Sequence, residues 1–242
     1  MTTARFYVDH TALLEGRLVL EGSYHHHLSR VLRMRSGQSL QLMDGKGCIA
    51  RGSILSISPT RTSIAVDEIT EVERERPRIK LFQALPQGKK MDDVVQWSVE
   101  LGADAVVPFS CRRSRSLDDA VRKRYERWRK IALESSRVAG RPFLPEINEA
   151  LTWEGLLAET EACDVMIMAD ETGGTRPRDA LAAVDAQEIG LVIGPEGGFT
   201  EEERIELLEM GARPVTLGAT VLRTETAGMV LMAAVRCHYG LL

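Results

Sequence analysis

Two short glycine-bearing loops hold the residues of this chain best suited to chemistry. The first, Gly194-Pro195-Glu196-Gly197-Gly198, follows an apolar run ending at Ile193. It leads to Thr200 and Glu203, the Thr-x-x-Glu pattern of a capped helix start. The second, Leu217-Gly218-Ala219-Thr220-Val221-Leu222-Arg223-Thr224-Glu225-Thr226, also follows a short apolar run and opens directly into an apolar stretch at Ala227. Glycines let a backbone approach a ligand closely, and in open α/β sheets ligands sit at the carboxyl ends of strands. A phosphate site asks for bare N–H groups, a positive helix end and often a Lys. Here Glu196 lies in the loop, Glu201, Glu202 and Glu203 crowd the helix start, and neither GxxxxGK[ST] nor GxGxxG is present. Such acidity favours a cationic or zwitterionic ligand, and the sulfonium cofactor S-adenosylmethionine is both. Either glycine run alone equally suits a tight strand–helix turn. Two such loops at neighbouring strand ends would form one composite pocket.

To place the loops side by side, the chain needs a parallel sheet. Strands are expected at Ile79–Leu85, Ala105–Phe109, Val165–Ala169, Ile189–Ile193 and Pro214–Leu217. Helices are expected at Asp92–Leu101, with Val94, Val95, Ser98 and Val99 on one face and Gly102 as the stop, and at Leu117–Ala139, Thr200–Met210 and Thr224–Tyr239. Thr224 or Thr226 would cap the last of these. Alternating strands and helices predict an α/β fold, a parallel sheet covered on both faces. Residues 1–70 read differently. Gln38–Met43 alternates polar and apolar, Asp44-Gly45 supplies a hairpin turn, and Cys48–Ile57 and Ser63–Ile69 continue the period of two. With one short helix around Tyr24–Leu32, this predicts a small β-barrel. The charged segment Glu71–Arg78, which contains Pro77, is the expected linker. The predicted domains are therefore 1–72 and 73–242.

Hydrophobic residues make up 44% and charged residues 27%, the balance of a soluble globular protein. No apolar run approaches the ~18–20 residues of a membrane span, and Met1–His10 lacks the pattern of a signal peptide. A cytoplasmic protein with no membrane partner is expected. Cys48, Cys111, Cys163 and Cys237 are scattered without a CxxC pair, which reads as reduced thiols, and no His/Cys/carboxylate spacing argues for a metal. The net charge of −4 conceals an asymmetry. Residues 1–150 hold 25 Lys+Arg against 19 Asp+Glu, whereas residues 151–242 hold 6 against 16. A basic front half can attract a polyanion while the acidic back half serves another ligand.

Taken together, GPEGGFTEEE and LGATVLRTETAG closely resemble the paired motifs of the RsmE family of 16S ribosomal RNA methyltransferases, members of the SPOUT superfamily that act on N3 of a uridine. His27–Arg33, Gly88-Lys89-Lys90-Met91, Glu100-Leu101-Gly102 and Trp128–Pro145 are similar to further family segments, so the resemblance spans nearly the whole chain. It implies a PUA-like RNA-binding β-barrel, then a SPOUT-type parallel sheet ending in a trefoil knot, a homodimer, and the small ribosomal subunit as partner. It also implies a cofactor pocket built from Ile193, Gly194, Glu196, Gly197, Gly198, Leu217, Gly218, Leu222, Arg223, Thr224, Glu225 and Thr226, with Ala169-Asp170-Glu171 as a further wall. Three departures stand out. The Gln of a Glu-Gln-Ser-like run is missing from Glu134–Arg141, Trp97 replaces a common Lys, and Ala219 replaces a Pro.

The chemistry the resemblance implies needs no metal. The uracil N3 imide must lose its proton while negative charge spreads onto O2 and O4, which calls for a nearby cation. Arg223, fixed in charge and rich in donors, is the first candidate, with Glu225 as proton acceptor or as the group that orients Arg223. The alternative for Arg223 is a salt bridge to Glu225 or to a carboxylate of a partner subunit. RNA would be held by His27, Arg30, Arg33, Arg35, Arg112, Arg113, Arg115, Arg137 and Arg141. His25 to Arg35 contains no acidic residue, and Arg112–Arg141 carries 11 Lys+Arg against 4 Asp+Glu. The competing readings are a SPOUT enzyme for another RNA position and a non-catalytic RNA-binding or ribosome-assembly protein.

Overall fold

The computed structural model describes residues 4–160 and 162–242. They form two compact units. One runs to Arg74 and takes in Arg137–Leu144; the other comprises Glu75–Ser136 and Pro145–Leu242.

The first unit is built on β1 (Arg5–Tyr7), α1 (His10–Leu14), β2 (Arg17–Glu21), α2 (Gly22–His26), β3 (Ser39–Met43), β4 (Cys48–Ile57) and β5 (Arg61–Glu71). The sheet order is β1-β3-β4-β5-β2, antiparallel except for the β1–β3 pair. Register shifts at Arg51/Gly52 and Ile54/Ser56 bend β4, since bulges increase local twist, and the sheet curls into a half-barrel. Alternation puts Leu40, Leu42, Ala50, Ile54 and Ile64 on one buried face with Phe6, Leu13 and Leu28. The expected hairpin at Asp44-Gly45 is present. Asp44 accepts the backbone N–H groups of Lys46 (2.7 Å) and Cys48 (2.9 Å), and His10 Nδ1 lies 2.9 Å from its other oxygen. The side chains of His10, Asp44 and Cys48 have their ligating atoms within 4.8 Å of one another.

The single helix expected at Tyr24–Leu32 is two elements. α2 passes at His27 into a π-helical turn, His27–Val31. The triple His divides accordingly. His25 is buried, with Nε2 donating to Pro59 O (3.2 Å) and Nδ1 accepting from Thr62 (2.9 Å). His26 is exposed, and the half-buried His27 ring meets Phe6 edge-on.

The second unit holds β6 (Arg78–Ala84), α3 (Lys90–Glu100), β7 (Ala105–Phe109), α4 (Asp119–Arg122), α5 (Tyr125–Ala139, whose last turn belongs to the first unit), β8 (Glu146–Ile147), α6 (Trp153–Thr160), β9 (Val165–Ala169), α7 (Pro177–Ala180), β10 (Glu188–Ile193), α8 (Glu201–Glu209), β11 (Arg213–Val215) and α9 (Thr224–His238). Its six strands are all parallel, in the order β11-β9-β10-β6-β7-β8. Successive side chains point to opposite faces of a strand. Leu81, Ile167, Leu191 and Val106 thus face α3 and α9, through Val94, Val95, Val99, Leu231 and Val235. Phe82, Met168, Val192 and Val107 face α6 and α8, through Leu156 and Leu207. At about 1.5–3 kcal/mol per buried aliphatic side chain, these two layers supply the main driving force of the unit. The expected basic helix is interrupted at Lys123–Arg124. β11 starts and ends earlier than expected, leaving Thr216 and Leu217 to the following loop.

One ion cluster at the amino ends of this sheet predicts a pH response. Glu188 is paired with Arg78 and lies 3.2 Å from Lys80. Burial would push its carboxyl up, but the Arg78 hydrogen bond and the Lys80 charge outweigh burial and hold it below the ordinary carboxylate range. A depressed folded-state value means that the stabilisation is complete above the unfolded-state pKa and is lost as pH falls through the folded one. Urea unfolding below the ordinary carboxylate range should therefore show E188Q with a flatter pH dependence than the parent chain. Identical slopes would remove the cluster from the acid response.

Candidate functional site

Because all six strands run the same way, β9, β10 and β11 deliver their carboxyl ends to one edge of the sheet. Val192 aligns with Met168, and Val215 with Ala169. The segments that follow them, 169–172, 193–199 and 216–224, line a single cleft of about 350 Å³, within the roughly 300–1,000 Å³ usual for small-molecule sites. Ile193, Gly194, Glu196, Gly198, Leu217, Gly218, Leu222, Arg223 and Thr224 all line it, as do Asp170 and Glu171. Gly197, Glu225 and Thr226 stand outside its lining.

The two glycine loops are tied together beneath the cleft. Thr224 caps nothing. The residue at the N-cap of α9 is Arg223, whose side chain makes no capping bond. The buried Thr224 hydroxyl instead donates to Gly194 O (2.5 Å) and accepts from Gln83 Nε2 (2.8 Å), which also donates to Ala84 O. Gln83, fully buried at the end of β6, has an Oε1 without a hydrogen bond. At the far side of the first loop the expected capping box is in place. Glu203 accepts from Thr200 N (2.9 Å), its own N–H reaches Thr200 Oγ1 (3.3 Å), and its second oxygen takes Arg112 N (2.7 Å).

The electrostatics differ from the sequence reading in one instructive respect. Sequence reasoning treated the loop carboxylates as free charges that would repel an anion. Most are engaged. Glu196 accepts from Lys90 Nζ (2.9 Å) and Gln87 N (3.1 Å), and these partners overcome burial and hold its carboxyl low; the same bond raises Lys90. Asp170 takes Arg204 at 2.7 Å. Burial would raise it, but the Thr172 hydroxyl and Arg204 pull it below its ordinary value. Glu201 lies 3.7 Å from Arg204. The cleft is therefore less acidic than its composition.

The Arg223–Glu225 salt bridge weighed above does not form. Glu225 is buried at the start of α9, 3.6 Å from Lys90 Nζ and without a hydrogen bond to that oxygen. Arg223 is exposed in the cleft lining, with no ion pair or hydrogen bond from its side chain among the described residues. Lys90 thus joins Glu196 of the first loop to Glu225 at the start of α9. It and Gln83 were missed as site residues. The available signals were a Lys inside the Gly88–Met91 segment and one polar residue in an otherwise apolar strand.

Of the basic residues assigned to RNA, Arg30, Arg33 and Arg35 are exposed on the first unit, and Arg112 on the second. Arg113 is exposed as well, and its guanidinium donates to Gly197 O (2.9 Å) and Phe199 O (3.2 Å) of the first glycine loop. Arg115 pairs with Asp118 at 3.7 Å. Arg137 and Arg141 are half-buried and interact within the first unit. Arg137 reaches Arg5 O at 3.5 Å, and Arg141 O accepts the Tyr7 hydroxyl.

Comparison with known proteins agrees with this geometry. Residues 73–236 match the RNA methyltransferase domain family, and residues 25–66 the RNA methyltransferase PUA domain. The chain is 32% identical to the ribosomal RNA small subunit methyltransferase E of Bacillus subtilis (strain 168) over 232 residues, covering 92% of this chain and 91% of that protein. It is also 32% identical to that of Mycobacterium bovis over 241 residues, covering 97% and 92%. The crystal structure of ribosomal RNA small subunit methyltransferase E from Neisseria gonorrhoeae bound to S-adenosyl methionine superposes with a TM-score of 0.84 at 28% identity, over 98% of both chains. With two parallel-sheet loops forming one cleft, a PUA-type β-unit and relatives matched from end to end, this chain belongs to the ribosomal RNA small subunit methyltransferase E family.

Proposed function

We propose that this chain methylates N3 of a uridine in 16S rRNA of the small ribosomal subunit, using S-adenosylmethionine. The composite cleft carries the reading. It is built from the same two loops that carry the family motifs, and the Neisseria relative is one crystallised with that cofactor. The residues fit such a ligand. Gly194 and Gly198 leave backbone exposed for adenine recognition, Leu217 and Leu222 are apolar walls, and a carboxylate without an ion pair among the described residues suits a ligand cation. Ile193, Gly194, Glu196, Gly197, Gly198, Leu217, Gly218, Leu222, Arg223, Thr224, Glu225 and Thr226 form the proposed cofactor-binding set. When bound, the cofactor would supply an electrophilic methyl group on a sulfonium, so the protein's task reduces to holding the acceptor and managing its proton.

Arg223 is assigned to the charge that develops on uracil O2 or O4. Its freedom from Glu225 leaves its donors available. Glu225, 3.6 Å from Lys90 Nζ at the start of α9, is the proposed second catalytic group and accepts the N3 proton. Residues 1–72 are assigned as a PUA-like RNA-binding domain and 73–242 as the SPOUT domain with its C-terminal trefoil knot, working as a homodimer in the cytoplasm. His27, Arg30, Arg33, Arg35, Arg112, Arg113, Arg115, Arg137 and Arg141 are the proposed RNA contacts. Each phosphate neutralised contributes close to one unit to the log–log salt slope. R30A/R33A/R35A should therefore weaken binding across RNA sequences and reduce that slope by about three. A slope equal to the parent's would take these residues off the RNA.

The deciding experiment is methyl transfer from labelled S-adenosylmethionine to small subunits lacking base methylation, followed by nucleoside analysis. Label in 3-methyluridine is the expected result. Label in another nucleoside would keep the cofactor and change the acceptor. Absence of both label and cofactor binding would favour a non-catalytic RNA-binding protein.

A further inference from the structure

Six charged side chains line the cleft, and four are satisfied within the protein. Asp170 and Glu201 share Arg204, and Glu196 is held by Lys90 and the Gln87 N–H. The two left are Arg223 and Glu171. Arg223 is positive and already assigned to the acceptor base. Glu171 is the one lining carboxylate with no ion pair or hydrogen bond among the described residues. It follows β9 and leans over the first glycine loop. A methyl group built on Gly198 would lie 3.0 Å from Glu171 Oε1, and Gly198 has φ +66°, a conformation that favours glycine. The bare backbone there gives this carboxylate room beside the cleft.

We propose that Glu171 binds the α-ammonium group at the amino-acid end of the cofactor, and that it makes the site select the complete cofactor over adenosyl thioethers lacking that end. The inference rests on the S-adenosylmethionine reading above. A cleft carboxylate without an internal partner is a receptor for a ligand cation, and the cofactor offers two, the sulfonium and the ammonium. Only the ammonium carries N–H donors, so only it can form charge-assisted hydrogen bonds with a carboxylate. Such a contact outweighs a purely coulombic one at a site open to solvent.

Titration calorimetry on the parent chain and on E171Q, with three ligands, separates the possibilities. S-adenosylmethionine has both cations, S-adenosylhomocysteine has the ammonium and a neutral sulfur, and 5′-methylthioadenosine has neither. Gln keeps the size of Glu and removes the charge. Because Glu171 is exposed and unpaired, E171Q should melt as the parent does. The expected result is about tenfold weaker binding of the first two ligands and unchanged binding of 5′-methylthioadenosine. Equal losses for all three would mean a structural role, loss for S-adenosylmethionine alone would assign Glu171 to the sulfonium, and no loss would leave it without a ligand; each overturns the proposal. Failure of the parent chain to bind any of the three would instead overturn the cofactor reading, and the proposal with it.

Discussion

Replacing Arg223 by Ala should lower single-turnover methyl transfer by about 10²–10³-fold, the usual cost of removing one preorganised donor from a developing oxyanion. The expectation follows from three observations. The side chain lines the cleft, it sits at the junction between the second glycine loop and α9, and it has no partner among the described residues to absorb its charge. S-adenosylmethionine affinity should change only a few-fold, because backbone groups and apolar walls carry most of that contact. R223K should recover part of the rate, since an ammonium keeps the charge but not the planar fork of donors. E225Q should also slow transfer, with a changed pH profile if Glu225 takes the N3 proton. Near-normal turnover of R223A and E225Q with RNA and cofactor saturating would remove both residues from the chemistry.

A second large effect is expected at Thr224, for a different reason. T224V is nearly isosteric, yet it deletes the buried hydroxyl that joins Gly194 O to Gln83 Nε2. The Gly194 carbonyl then loses its donor, and the buried Gln83, whose Oε1 already lacks a hydrogen bond, keeps only its bond to Ala84 O. The bare Gly194 carbonyl costs roughly 1–3 kcal/mol and the lost Gln83 bond about 1 kcal/mol more, together about 2–4 kcal/mol. At roughly 2–4 °C per kcal/mol for a chain of this size, the melting temperature should fall by about 4–16 °C. Cofactor affinity should fall as well, because the two loops that wall the cleft are no longer fixed to each other. Q83L/T224V should be less destabilised than the sum of its single changes, as expected for partners in one network. A parent-like melting temperature and parent-like affinity for T224V would show that the tie does not organise the site.

The basic loop after β7 carries a coupling that sequence reasoning did not assign. Arg113, counted among the RNA contacts, donates to the carbonyls of Gly197 and Phe199. The neighbouring Arg112 N–H satisfies Glu203 of the capping box. One dipeptide thus braces the first glycine loop. An exposed arginine in a charge run reads from sequence as solvated or as a phosphate ligand, because its partners here are backbone carbonyls more than eighty residues away.

Much of this protein was determined by local sequence. Period-two alternation set β3, β4 and β5, short apolar runs set β6, β7, β9 and β10, and Thr200 with Glu203 fixed the start of α8, because each signal acts over a few residues. The same locality explains the errors. β11 is three residues long and is held in place by pairing with β9 rather than by its own pattern, so its end was misplaced. α6 and α7, which carry weak patterns, were not anticipated. The two glycine loops could be named as partners from their motifs, but their meeting depends on β9, β10 and β11 being parallel neighbours in the sheet. Charge was the least legible property. Composition counts carboxylates, whereas a ligand meets only those left unpaired, and pairing is decided by Lys90, Arg204 and the Gln87 N–H arriving from distant segments. Tertiary structure alone turned an acidic loop into a nearly neutral cleft with, among the described residues, one free carboxylate and one free guanidinium, since the Coulomb attraction that cancels a charge acts through space and leaves no trace in spacing along the chain.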